Sequence, residues 1–182
     1  MEALGLDKVV FVPAARPPHK RGRAFADAGH RLAMVRLAVR GNQRFEVSPA
    51  EIGQSGTSFT VDTLEGLKAR CGRNRLHLLI GLDQALHLDT WRRPERIFTL
   101  AEVDVLSRPG FDQGAIPSKW RRLVRTVDVP GLEISSSLVR SLAGRGLSIS
   151  YLVPAAVDSY IRRHGLYRKR GNSSRTHHGL NG

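Results

Sequence analysis

The chain has 182 residues, 41% of them hydrophobic and 25% charged, and a mass of 20.1 kDa. That size suits one domain with its own core, and the composition excludes a disordered chain, a multi-domain enzyme and a helical membrane span, since no apolar run approaches ~20 residues. The formal charge of +13 comes from 24 Arg and 5 Lys set against 16 acidic residues, scattered over many segments rather than gathered in one stripe. With aromatics at only 6%, nucleic-acid binding is disfavoured as the main function. The single cysteine, Cys71, excludes an internal disulfide framework and cysteine-rich zinc modules, and reads as a reduced structural thiol. The opening MEALGLDKVVFVP does not resemble a secretory leader, so a cytoplasmic location is expected.

In chain order, Lys8 to Val12 is a short apolar run ended by Pro13, the pattern of a strand buried on both faces. The stretch AARPPHKRGRAFADAGH, Ala14 to His30, reads as an exposed loop. Arg31 to Arg40 predicts a helix with Leu32, Val35 and Val39 on one face and Asp27 as its cap. Phe45 to Ile52 predicts an extended piece broken at Pro49. A helix follows from about Thr60 to Arg70, carrying Val61, Leu64 and Leu67 and stopped by Gly72. Strands are predicted at Leu76 to Ile80, Val103 to Leu106 and Thr126 to Val129. Ser135 is a cap for a helix carrying Leu138, Val139 and Leu142, and a last helix starts near Pro154, includes Val157, Tyr160 and Ile161, and ends at Gly165. Strands alternating with helices give an α/β fold with a mainly parallel sheet. The domain is expected over residues 1–167, with 168–182 a basic, frayed tail. His177 and His178 lack a third ligand, and His30, His77, His87 and His164 lack a metal-binding spacing, so no metal site is assigned.

In open α/β sheets, ligands bind beyond the carboxyl ends of the strands. The segments there are Pro13 to Lys20, Gly81 to Asp83 and Ser107 to Gly110, with the helix start at Ser135 to Arg140. Together they offer cations, a carboxylate, small residues and free helix amides, a set suited to phosphate groups.

These segments lie within a series of blocks: VFVPAARPPHK at Val10, HRLAMVRLAV at His30, GTSFTVDTLEGLK at Gly56, LLIGLD at Leu78 with Trp91 nearby, VLSRPG at Val105, EISSSLVR at Glu133 and YLVPAAVDSYIRRHGLY at Tyr151. In that order they resemble the bacterial nicotinate-nucleotide adenylyltransferases of the nucleotidyltransferase superfamily, whose fold is Rossmann-like. The resemblance extends from Gly5 to Tyr167. It implies transfer of AMP from ATP to nicotinate mononucleotide, giving nicotinate adenine dinucleotide and pyrophosphate in NAD biosynthesis, with Mg2+ accompanying the triphosphate. It further implies that Ser58, Thr60, Asp62 and Thr63 bind the pyridine nucleotide, with Thr60 toward the nicotinate carboxylate and Trp91 stacked on the ring. Gly81, Asp83, Arg108, Ser135 and Ser136 would bind ATP, while His19, Lys20 and Arg140 would hold its phosphates. Ser137 stands where the family usually has Thr. Without a ligand, Thr60, Asp62 and Thr63 would be plain helix-capping residues and Asp83 a simple N-cap.

The family opens with a strand and a Gly-Gly-x-Phe-Asp-Pro-x-His-x-Gly-His loop, whose histidines bind ATP phosphates. No segment of these 182 residues matches it; the Gly29-His30 pair is in the wrong order along the chain. The resemblance therefore predicts a missing first strand, two unpaired inner sheet edges, and a 182-residue polypeptide that folds poorly and turns over little substrate. A start further upstream is the favoured reading, over a decayed remnant. The rival functions are adenylyl transfer to another phosphorylated acceptor, such as phosphopantetheine, and non-catalytic nucleotide or RNA binding.

Overall fold

The computed structural model describes residues 1–15, 26–53, 57–107, 113–130 and 134–168. The chain divides into two compact units, the first including Asp27–Glu133 with the N-terminal strand, the second built on Ile134–Gly182.

The first unit contains five strands, β1 Val9–Phe11, β2 Phe45–Val47, β3 His77–Gly81, β4 Glu102–Ser107 and β5 Val124–Asp128, and five helices, α1 Ala28–Val39, α2 Thr60–Cys71, α3 Leu82–Ala85, α4 Pro94–Leu100 and α5 Ser118–Arg121. All strand pairs are parallel, as the alternation of strands and helices predicts. They form two sheets rather than one, a pair β1-β2 and a triplet β3-β4-β5. Among the described strands, β4 has two neighbours and β1, β2, β3 and β5 have one each.

The division corrects one sequence expectation. The run from Lys8 makes a strand, but one not buried on both faces: Val10 and Phe11 are 37% and 36% exposed. An apolar run records what a strand is made of; burial needs covering elements, and β1 has only β2 beside it, with Phe11 set edge-on to Phe45 at 5.3 Å between ring centres. Helix α1 begins at Ala28, three residues earlier than periodicity suggests, because the Asp27 side chain accepts the His30 amide at 2.9 Å. The loop expected to reach His30 is shorter on that side.

The core lies around α2, the triplet and the helices between its strands. Val61 and Leu64 of α2 pack with Ile80, Leu88, Ile97, Val103, Val105, Ile116 and Trp120. Helix α2 ends where expected, Gly72 adopting φ 57° and returning its amide to the Lys68 carbonyl, a positive φ that glycine enters without a Cβ penalty. Helices α4 and α5 have no counterpart in the sequence reading, yet they supply Ile97, Leu100 and Trp120 to the core. The Trp120 ring stacks on Phe98 at 5.0 Å, and its Nε1 donates to Asp89 at 2.6 Å.

The second unit contains α6 Ser136–Gly144 and α7 Ala155–Arg163. Val139, Ala143, Ile149, Val157 and Ile161 are buried, whereas Leu138 is 41% exposed. Asp158 accepts two hydrogen bonds from Arg162, 2.8 and 2.9 Å, and one from Ser150 at 3.2 Å. The Arg162 guanidinium, followed by the Ser150 hydroxyl, holds the Asp158 carboxyl below its ordinary range. A carboxyl with a depressed folded pKa adds stability at pH above its unfolded value, and the contribution is lost as pH falls through the folded one. In thermal melts, the excess stability of the parent over Asp158→Asn is accordingly largest above about pH 5 and closes as the pH falls toward 2.

Candidate active site

The parallel register levels the carboxyl ends of the triplet, with Gly81 opposite Leu106 and Ser107 opposite Asp128. This edge is where a ligand of an open α/β sheet lodges. At the end of β3, Gly81 donates its amide to Gln84 Oε1 at 3.2 Å. A Cβ at position 81 would come within 2.7 Å of Asp83 Oδ1, so any side chain there would displace the carboxylate. Asp83 is not the N-cap of α3, because Gly81 holds that position and Asp83 sits within the first turn. Its exposed carboxylate makes no hydrogen bond to other described residues. Beside it at the end of β4, Ser107 donates to Asp128 at 2.7 Å.

The start of α2 is the second part of the site. Phe59 holds the N-cap position and no side chain caps the helix. Thr60, Asp62 and Thr63 are therefore not the capping residues that a ligand-free reading would make them. Asp62 pairs with Arg93 at 3.0 Å and Arg92 at 3.6 Å, and Thr63 donates its hydroxyl to Glu51 at 2.8 Å. Thr60 opens the helix, half-buried. Just before it, the Ser58 hydroxyl oxygen is buried with no hydrogen-bond partner among the described residues. An orphaned buried hydroxyl costs about 1 to 3 kcal/mol, which a ligand group able to reach it would recover.

Trp91 packs partly buried against the core. The two residues after it fix its turn to α2: Arg92 lies over the Phe59 ring at 4.6 Å, and Arg93, in the left-handed region at φ 49°, reaches Asp62 and Glu65. Arg96 adds a 3.1 Å contact to Glu65, and that hydrogen bond, with Arg93 nearby, holds the Glu65 carboxyl below its ordinary range. The structure thus joins Ser58–Thr63 to the Trp91 turn. The sequence reading missed Glu51, Arg92 and Arg93 as the residues that make the junction; an Asp62-Glu65 face opposite an Arg-Arg pair is the only signal that could have suggested it.

In the second unit, Ser135 caps α6 as predicted, accepting the Leu138 amide at 3.1 Å, and Ser136 is the first helical residue. Arg140 donates to the Ser137 hydroxyl at 3.0 Å, so the serine in the usual threonine position keeps the hydroxyl that steadies this guanidinium. His19, Lys20 and Arg108, and the proposed tail beyond Arg168, lie outside the described residues. Among the described residues, no group of three His, Cys, Asp or Glu side chains gathers to hold a metal, and no helix is long and apolar enough to cross a membrane.

Fold and site together define a nucleotidyltransferase-type α/β protein, and the cytidylyltransferase-like family model matches residues 1–142. Curated relatives narrow the class. The chain is 39% identical to a nicotinate-nucleotide adenylyltransferase of Thermomicrobium roseum, covering 92% of this chain and 80% of that protein, and 43% identical to one of Roseiflexus sp., covering 91% and 85%. The chain belongs to the nicotinate-nucleotide adenylyltransferase family. The fold agrees: the Plasmodium falciparum nicotinic acid mononucleotide adenylyltransferase complexed with NaAD aligns with a TM-score of 0.68 at 16% identity, over 89% of this chain and 83% of that one.

Proposed function

We propose that the site binds nicotinate mononucleotide between the start of α2 and Trp91 and passes it the adenylyl group of ATP. The 5′-phosphate oxygen of the mononucleotide attacks the α-phosphorus of ATP, the bond from that phosphorus to the bridging oxygen breaks, and pyrophosphate leaves with the bond electrons. Nicotinate adenine dinucleotide is the other product. A phosphate is already ionised at pH 7, so no base need remove a proton, and the work falls to alignment and charge stabilisation.

The observation that carries this reading is the buried Ser58 hydroxyl, without a partner among the described residues, at the mouth of a helix tied to the Trp91 turn. Asp83 is free to accept a ribose hydroxyl. Arg140, held by Ser137, and the amides at the start of α6 suit phosphate oxygens. The placement of His19 and Lys20 on the phosphates and of Arg108 near the nucleoside rests on the family resemblance. Mg2+ would arrive with ATP and neutralise charge on the departing pyrophosphate; with no protein cage among the described residues, its ligands would come mainly from phosphate and water. A cytoplasmic location completes the proposal.

Calorimetric titration tests it. Nicotinate mononucleotide binds the 182-residue polypeptide, and Trp91→Ala weakens it by about 10- to 100-fold, the worth of one aromatic stack on a base, while Trp91→Phe retains most of the affinity. Phosphopantetheine binds far more weakly. Unchanged binding in Trp91→Ala overturns the placement, and preference for phosphopantetheine overturns the acceptor. In a turnover assay, the 182-residue polypeptide alone makes negligible dinucleotide, since its sequence holds no His-x-Gly-His pair for the triphosphate; rapid turnover would show that pair to be dispensable.

A further inference from the structure

A cavity lies at the opposite end of the triplet. It is an open hollow of about 500 Å³ where β3, β4 and β5 begin, within the usual range for small-molecule sites. β3 runs five residues from this end to Gly81, roughly 15 Å at the rise of a strand, so the cavity is separate from the nucleotide edge.

Its walls combine an apolar surface with surplus positive charge. Leu76, Phe98 and Val124 line it, together with Lys68, Arg75, Arg122 and Arg125, against a single carboxylate, Glu102. Two of these cations are engaged: Lys68 donates to the Asn74 carbonyl at 2.9 Å, and Arg125 donates to the buried Asp104 at 2.6 Å. The other two are more exposed. Arg75 pairs with Glu102 at 3.7 Å from a side chain 85% exposed, and Arg122 has no ion pair among the described residues. Lys68 also meets the partial negative charge at the end of α2.

We propose that this cavity is a binding site for a small organic phosphate monoester, whose dianion pairs with Arg75 and Arg122 while its apolar body lies against Leu76, Phe98 and Val124. Two exposed guanidiniums complement a monoester, which carries about −1.5 to −2 at pH 7, and their planar forks suit phosphate oxygens. The apolar wall favours an organic ester over inorganic phosphate. The site is independent of the adenylyl-transfer reading, and neither arginine belongs to that machinery.

The chain has two tryptophans, and Trp120 stacks on the Phe98 that lines the cavity. In a Trp91→Phe background, Trp120 emission therefore reports on this cavity. Titration with phenyl phosphate gives a saturable change, at least tenfold weaker in Arg75→Glu/Arg122→Glu and weakened also in the milder Arg122→Gln. Inorganic phosphate and benzoate each bind at least tenfold more weakly than phenyl phosphate. Circular dichroism confirms that the exposed substitutions leave the fold intact. Absence of a saturable change, or equal affinity in the charge-reversed variant, overturns the site; equal binding of inorganic phosphate overturns the role of the apolar wall. Because no arm uses ATP or the pyridine nucleotide, failure here leaves the catalytic proposal standing, and the reverse holds too.

Discussion

Trp120→Ala lowers the stability of the first unit by about 4 kcal/mol, within the range for removing a large buried aromatic, and depresses the melting temperature by roughly 10 °C for a chain of this length. The ring is 1% exposed and among the largest fully buried side chains. It fills the space between α4 and β5, lies flat on Phe98 with an interplanar angle of 9°, and carries Lys119 over its other side at 4.3 Å. Deletion leaves a cavity that the short helix α5 can close only by shifting the start of β5. Trp120→Phe separates packing from hydrogen bonding. It keeps the stack and forfeits the bond to Asp89, whose exposed carboxylate can take water instead, so about 1 to 2 kcal/mol is expected. Equal losses for the two variants would mean that the Asp89 bond, not the packed ring, anchors α5.

The difficulty of reading Trp120 from the sequence shows where sequence patterns carry structural information. The runs at Leu76 and Val103 are nearly continuous apolar segments and became β3 and β4, because strands covered on both faces need little else. The start of α2 was legible for a similar reason, its apolar residues recurring at helical spacing up to a glycine stop. Helices of four to seven residues, such as α5 and α4, are too short for any period to emerge, yet Trp120 and Ile97 on them are almost wholly buried. β1 failed in the other direction, since Val10 and Phe11 are apolar but uncovered. For the site, residues along one segment were legible and junctions between segments were not. Asp62 and Arg93 stand 31 positions apart, and only folding α4 against α2 makes them neighbours. The end of β3 was placed correctly at the carboxyl edge of a parallel sheet, because strand direction follows from the alternation of strands with helices.

Asp104 was not singled out by the sequence reading for the same reason, and its replacement is the second large effect. The carboxylate is fully buried in the middle strand of the triplet. The parallel register sets Arg125 directly opposite and brings His77 to the diagonal position on β3. His77 Nδ1 lies 2.8 Å from one oxygen and donates to it, while Arg125 Nε donates to the other at 2.6 Å. A carboxylate oxygen only accepts, so His77 Nδ1 is the donor in this contact, with Arg125 Nη2 also 3.3 Å from the ring nitrogen. Asp104→Leu fits the space but strands the His77 donor, whose side chain is only 13% exposed. Arg125 is about half exposed and can turn to water or to Glu102, which softens the loss. The expected destabilisation is about 2 to 3 kcal/mol, below the 3 to 5 typical when both partners are buried. Adding His77→Leu removes the stranded donor and extends the apolar face between β3 and β4, so the double variant recovers most of the stability, as replacement of a whole buried polar cluster often does. Denaturant titrations of the two single variants and the double variant measure this coupling directly. If the double variant is as unstable as the sum of the singles, the network stabilises the triplet beyond the pairing of its own groups.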